Sequence, residues 1–307
     1  MIFSILHHHK YKKHYFYLIT ISYSPSRWCR RFDHIKILEH YLTFAAKVTE
    51  NARKTLKCKL DVPYGATDRA KYDVYGTDLP DDAPILIFIH GGYWQEGSKE
   101  VASFAAPVFV PNGIKVITVG YDLCPQVRFK DIISQIKVAI EEILKSVSSR
   151  STIVWIVGHS AGAHLAVSLL FDASWLEKMA KQRYLNLLKG VVLISGIYNL
   201  KPLLDTTIND ALKLTNFTIM DTTNIKPIRD LKVIVTHGEC DSPVFNNESR
   251  ECVQKLVTIV DNVQYIFLRE NVDHFDIVER LTEPEFLLTK AIMDNILENN
   301  RGRIVKK

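Results

Sequence analysis

Short apolar runs without polar alternation recur along the chain, separated by stretches whose apolar positions repeat at helical spacing. Ile85 to Ile89, Lys115 to Val119, Ile153 to Val157, Gly190 to Ile194, Lys232 to Thr236 and Val263 to Leu268 read as strands. A run such as Ile153 to Val157 suits a strand covered on both faces of a parallel sheet. Val101 to Val110, Asp131 to Val147, Glu248 to Val260 and Pro284 to Leu297 read as the helices between and after them. Strand and helix alternating in this way predict an α/β fold, with a mostly parallel sheet of about eight strands and helices on both faces.

Ahead of this unit, Ile37, Leu38, Tyr41, Leu42, Ala45 and Val48 place one apolar stripe on a helix within Asp33 to Leu56. Lys57 to Val62 and Ala70 to Tyr75 alternate and are separated by Pro63, Gly65 and Asp68, which predicts an antiparallel pair at one sheet edge. Tyr198 to Lys226 breaks the rhythm and reads as a small cap over the carboxyl ends of the strands, where open α/β sheets bind ligands. The expected organisation is an unstructured extension over residues 1–22 and a single domain over 23–307.

Composition narrows the function classes. With 47% hydrophobic and 24% charged residues in 307, the chain has the make-up of an ordinary globular protein. Its net charge of +5 gathers toward both ends, and no basic stripe interleaved with aromatics suggests nucleic acid. No apolar run is long enough to span a bilayer. Tyr15 to Tyr23, behind the basic stretch His7 to Lys13, imitates a leader but lacks a small-residue cleavage site. Nothing near His7, His8 and His9 completes a metal site. Cys29, Cys58, Cys124, Cys240 and Cys252 are odd in number and contain no C-x-x-C pair, so a reducing compartment, the cytoplasm, is the expectation.

The candidate chemistry sits where strands end. Gly158-His159-Ser160-Ala161-Gly162 follows a buried strand and fits G-x-S-x-G, the sharp strand-to-helix turn that presents a nucleophilic serine. The pattern alone recurs by chance in roughly one chain of this size in ten. The surrounding order therefore carries the inference. His90-Gly91-Gly92-Tyr93-Trp94 ends an earlier strand, and its amides could hold an oxyanion together with that of Ala161. His90 reads as architecture of that turn. Asp241 follows a later strand, with Glu239 as its local competitor, and His274 is the only histidine beyond the last strand. The order Ser160, Asp241, His274 is that of α/β-hydrolases. In such a set the imidazole takes the serine proton while the carboxylate fixes its tautomer. No metal or organic cofactor is needed.

Taken together, His90-Gly91-Gly92-Tyr93-Trp94-Gln95 with Gly97-Ser98-Lys99, the elbow extended through Ala163-His164-Leu165, Asp241-Ser242-Pro243, and Asp273-His274-Phe275-Asp276-Ile277-Val278-Glu279 resemble kynurenine formamidase (arylformamidase), particularly its animal form. Tyr23-Ser24-Pro25-Ser26-Arg27-Trp28 resembles the family's beginning, and the residues before Tyr23 depart from it. The resemblance implies an α/β-hydrolase that converts N-formyl-L-kynurenine to L-kynurenine and formate, a step of tryptophan catabolism, with a small-molecule substrate and a homodimeric assembly. It implies an oxyanion hole of Gly92, Tyr93 and Ala161, with Gly91 as an alternative member. Tyr93 and Trp94 are expected to crowd the acyl side so that a formyl group fits best. A general carboxylesterase and a non-catalytic hydrolase-fold module are the rival readings; an intact triad disfavours the second.

Overall fold

A computed structural model describes residues 17–150, 152–215 and 220–304. Eight strands form one sheet: β1 (Cys58–Pro63), β2 (Lys71–Tyr75), β3 (Ile85–Ile89), β4 (Lys115–Val119), β5 (Val154–His159), β6 (Leu188–Ile194), β7 (Ile228–Gly238) and β8 (Val260–Leu268). Their order across the sheet is β1-β2-β4-β3-β5-β6-β7-β8. The pairs β1·β2 and β2·β4 are antiparallel and every later pair is parallel. The predicted edge pair and parallel body are both present, and the architecture is that of an α/β-hydrolase.

Burial explains the run pattern. Every residue of β3, β4 and β5 is buried, because helices cover both faces. Ile85, Ile87 and Ile89 enter one core cluster, while Leu86 and Phe88 enter the other, as the twofold period of a strand requires. The first cluster takes in α2 (Phe129–Ser146) and α3 (Ala161–Leu170), and the second takes in α1 (Lys36–Thr55) and α6 (Leu287–Ile304). Two further helices are α4 (Ala173–Lys181) and α5 (Pro243–Leu256). No helix among the described residues is long and apolar enough to cross a membrane. All five cysteines are free thiols.

Several expectations change. The helix expected over Val101 to Val110 shrinks to one turn, Ala106–Phe109, behind a 3-10 turn at Lys99–Val101. Pro107 accounts for this, since it has no N–H to bond an earlier turn and so belongs near a helix start. Helix α4 was not expected; its signal is Asp172, whose carboxylate accepts from the Trp175 amide at 2.8 Å and caps it. Strand β7 begins at Ile228 rather than Lys232, with a register irregularity between those residues that accommodates Asp230 at φ 60°.

Part of the extension expected to be unstructured over residues 1–22 is ordered. Residues 17–22 are helical, and Ile19 and Tyr23, one helical turn apart, are both buried in the core. Residues 1–16, including the histidine run, lie outside the described residues. Among the described residues of Tyr198 to Lys226 the helical elements are a 3-10 turn, Lys201–Asp205, and a single helical turn, Asn209–Leu212; residues 216–219 lie outside the described residues.

Candidate active site

Strand β5 runs straight into the turn at Ser160, which sits at φ 54° and ψ −119°, and α3 starts at the next residue. A serine in that region of backbone space costs about 1–3 kcal/mol and persists only where its surroundings enforce it. Here the Ser160 amide donates to the Ile194 carbonyl at 2.8 Å, and the Ser160 carbonyl accepts from Ala163 at 3.0 Å. The flanking glycines make the turn possible. A Cβ on Gly158 would lie 2.3 Å from the Gly162 carbonyl oxygen, and one on Gly162 would lie 2.1 Å from the Ile89 oxygen. Helix and strand therefore meet backbone to backbone, which no other residue type allows.

The turn after β3 passes beside this elbow. Gly91 lies against Ser160, since a Cβ there would be 3.0 Å from the serine Cβ. Gly92, Tyr93 and Trp94 all have positive φ, at 108°, 49° and 58°. The Gly92 carbonyl ties the turn by accepting from Gln95 at 2.9 Å and Glu96 at 2.8 Å. Among the described residues, the amides of Gly92, Tyr93 and Ala161 have no protein acceptor. His90 is architectural: its ring stacks on Tyr121 at 4.1 Å, and burial holds it neutral by lowering its pKa to about 4. Gln95 donates to the Ile208 carbonyl at 2.9 Å, linking this turn to the segment expected to be the cap.

Tyr93 and Trp94 part company. Tyr93 stays partly exposed, and its hydroxyl donates to the Tyr23 carbonyl at 2.5 Å. Trp94, expected to line the pocket beside it, has no exposed surface. Its ring packs edge-on against His164 at 4.9 Å and Phe129 at 5.1 Å. It backs the turn instead of facing a substrate, because the two consecutive positive-φ residues drive its side chain into the core.

Asp241 follows β7 and is 3% exposed. Its Oδ1 accepts from His274 Nδ1 at 3.0 Å, with Oδ2 at 3.3 Å. A carboxylate can only accept here, so Nδ1 carries the proton and Nε2 is left as the acceptor. Glu239, the competitor, instead accepts from the Asn271 amide at 3.1 Å. His274 is held on its other side by His159, whose Nε2 donates to the His274 carbonyl at 2.9 Å. Burial keeps His159 neutral, well below its ordinary pKa. The Phe245 ring meets the His274 ring edge-on at 4.7 Å and covers it from water. Ser160 itself makes no hydrogen bond to His274. The structure thus joins Asp241 to His274 directly and reaches Ser160 through its chain neighbour His159. Catalytic contacts often tighten only when substrate is bound.

A cavity of about 530 Å³, lined in part by Leu188, Lys189, Ile228 and Leu231, opens at the amino ends of β6 and β7. That is the opposite edge of the sheet from the loops carrying Ser160, Asp241 and His274, so it is not the site of this chemistry.

Sequence reasoning missed Glu248, on α5. Its Oε2 accepts from the amides of Tyr198 at 2.8 Å and Asn199 at 2.7 Å, and its Oε1 from the Tyr23 hydroxyl at 3.1 Å. Burial outweighs these bonds and raises its pKa to about 7. Because the folded state holds this proton more tightly than the ordinary value of 4.5, the associated stability is full below about pH 4.5 and is lost as pH rises through about 7. The loss should reach about 3 kcal/mol. Glu248→Gln keeps the accepting oxygen and removes the titration. Relative to the unaltered chain, its urea midpoint should rise between pH 5 and pH 8; parallel curves would refute the assignment.

Comparison with known proteins places this geometry in context. Residues 73–256 match the family model described as BD-FAE. Over 286 residues the chain is 33% identical to a kynurenine formamidase of Danio rerio, spanning 91% of this chain and 95% of that one. It is 32% identical to a kynurenine formamidase of Salmo salar over 279 residues, spanning 88% and 93%. Esterase B from Lactobacillus rhamnosis HN001 superposes with a TM-score of 0.62 at 15% identity, over 88% of this chain and 94% of that one, which is a likeness of fold.

Proposed function

The chain belongs to the kynurenine formamidase family, and we propose that it hydrolyses N-formyl-L-kynurenine to L-kynurenine and formate through a formyl-serine intermediate. The observation that carries this reading is a buried Asp241–His274 pair beside a serine held in a strained turn at the start of a helix, in a chain 33% identical to a formamidase over nearly its whole length.

In this reading His274 Nε2 takes the Ser160 proton as Oγ attacks the formyl carbon. The oxyanion that forms is met by the amides of Gly92, Tyr93 and Ala161, with Gly91 as the alternative donor. Each such donor is worth roughly 3–4 kcal/mol in the transition state. The amino end of α3 adds its partial positive charge to Ala161. The imidazolium, stabilised by Asp241, then protonates the aryl amine as the C–N bond breaks. A water, deprotonated by His274, attacks the formyl-serine; formate leaves and the proton returns to Ser160. No cofactor enters the cycle.

Tyr93, pinned through its hydroxyl to the Tyr23 carbonyl, limits the room on the acyl side and favours the formyl hydrogen over an alkyl group. The segment 198–226 acts as a cap over the site within a single domain, and the five free thiols suit a cytoplasmic setting. Family resemblance supports a homodimer, which light scattering on the eluting protein would check against the 35.2 kDa chain mass.

The test compares kcat/KM for N-formyl-L-kynurenine with that for a short aryl ester. A formamidase should favour the former by at least about a hundredfold, since a site built to pair a polar group rejects analogues lacking it. A preference for the ester would instead mark a general carboxylesterase. In Tyr93→Gly the relative rate on acetyl anilides should rise; an unchanged ratio would remove Tyr93 from specificity.

A further inference from the structure

One short stretch of chain, Ser22 to Arg31, reaches three loops that lie far apart in sequence. The Ser22 carbonyl accepts from Ser242 Oγ at 2.6 Å, beside Asp241. The Tyr23 carbonyl accepts from the Tyr93 hydroxyl. Cys29 Sγ donates to Asp273 Oδ2 at 3.1 Å.

Arg31 makes the strongest of these links. Its Nε and Nη2 clasp the two oxygens of Asp273 at 2.8 and 3.1 Å, and its Nη1 meets Glu279 at 2.8 Å and Asp276 at 3.4 Å. Asp273 is wholly buried and precedes His274 directly. The same carboxylate accepts from the amides of Phe275 at 2.9 Å and Asp276 at 2.8 Å. It therefore closes the turn that carries His274. The acidic residues of the Asp273-to-Glu279 motif, which the triad itself does not use, find their purpose in this contact.

We propose that the Ser22–Arg31 segment positions the catalytic loops, with Arg31 acting as a positioning residue that holds His274 in place through Asp273. The proposal rests on the reading of Ser160, Asp241 and His274 as the triad. A planar guanidinium matches a carboxylate at two points, which a lysine ammonium cannot do. Without it, Asp273, Asp276 and Glu279 would crowd three carboxylates into two helical turns, and like charges at that range repel. Burial already raises the pKa of Asp276 to about 6, with Asp273 and Glu279 adding to the rise and Arg31 opposing it. The turn would open, and a displacement of about 1 Å at a catalytic group can cost about a hundredfold in rate.

The charged and titratable groups facing His274 and its turn are Asp241, His159 and Asp273, with Cys29, Arg31, Asp276 and Glu279 behind Asp273 and His40 and Arg280 beyond them. Removing the Arg31 charge leaves the Asp273 carboxylate without its cation, so protonation near the site becomes easier. Arg31→Met should therefore lower kcat by about ten- to a hundredfold, leave KM within about threefold, and move the acid limb of kcat/KM to higher pH. Arg31→Lys should return the limb toward its original position while recovering only part of kcat, and it carries the test if Arg31→Met does not fold. Exposed Arg229→Met, at the amino end of β7, serves as the unaffected control.

Each variant is assayed on N-formyl-L-kynurenine and on an aryl ester, with Tm recorded. A lowered Tm with unchanged kcat and an unmoved limb would reduce Arg31 to a structural role. Loss confined to KM would likewise overturn the proposal. If the unaltered protein cleaves the ester but not the formamide, the substrate assignment fails while the ester data still decide the role of Arg31.

Discussion

Ser160→Ala is expected to reduce kcat on N-formyl-L-kynurenine by about a million-fold, the loss typical of removing the nucleophile of an intact triad. Kynurenine release, followed by its absorbance, measures it directly. The expected size follows from the site. The φ of 54° at Ser160 sets its hydroxyl at the junction of β5 and α3. A residual acceleration of about a thousandfold over water should survive if the Gly92, Tyr93 and Ala161 amides form the oxyanion hole proposed for them. Folding should be unaffected, since alanine adds nothing to the turn. Activity within tenfold of the unaltered protein would end the serine mechanism, whatever the family.

Asp241→Asn should cost about ten-thousandfold in kcat with KM little changed. The carboxamide can hold the same position but presents an N–H or a weaker oxygen to His274 Nδ1. The imidazole then favours the tautomer with its proton on Nε2, where it cannot accept from the serine. The imidazolium also loses the charge 3.0 Å away that stabilises it. Glu239 offers no rescue, because its carboxylate is committed to the Asn271 amide. Rates on the formamide and on an aryl ester should fall together, as both need the same proton transfer. A fall on one substrate alone would mean that Asp241 acts in binding instead.

Much of the fold was legible because its signals are local. An unbroken apolar run reports burial on both faces, so β3 and β4 were found to the residue. Glycines flanking a serine report a tight crossing, and α3 starts directly after it. Where a signal spans only one turn the reading slipped. Pro107 cuts the apolar stretch Val101 to Val110 to a single helical turn, and one capping aspartate is the only local signal of α4. For the site, chain order singled out Ser160, Asp241 and His274 because hydrolase loops follow strands in a set sequence. Trp94 was misplaced because adjacency in sequence says nothing about which side of a turn a ring takes. Glu248 and Arg31 were missed for a related reason: each acts on groups more than forty residues away, and a lone charged residue resembles any solvated one.

The sequence by itself determined the strand and helix rhythm, the strained turn at Ser160 and the order of the three candidate catalytic residues. Each depends on spacing along the chain, which backbone geometry and side-chain size convert directly into shape. Only the tertiary structure decided that Asp241 rather than Glu239 meets His274, that Tyr93 and not Trp94 keeps a partly exposed face, and that the stretch ending at Arg31 reaches Asp273. Those outcomes turn on hydrogen bonds and burial between segments brought together by sheet packing. Directional contacts of a few ångströms exist only once the whole core has set the distances.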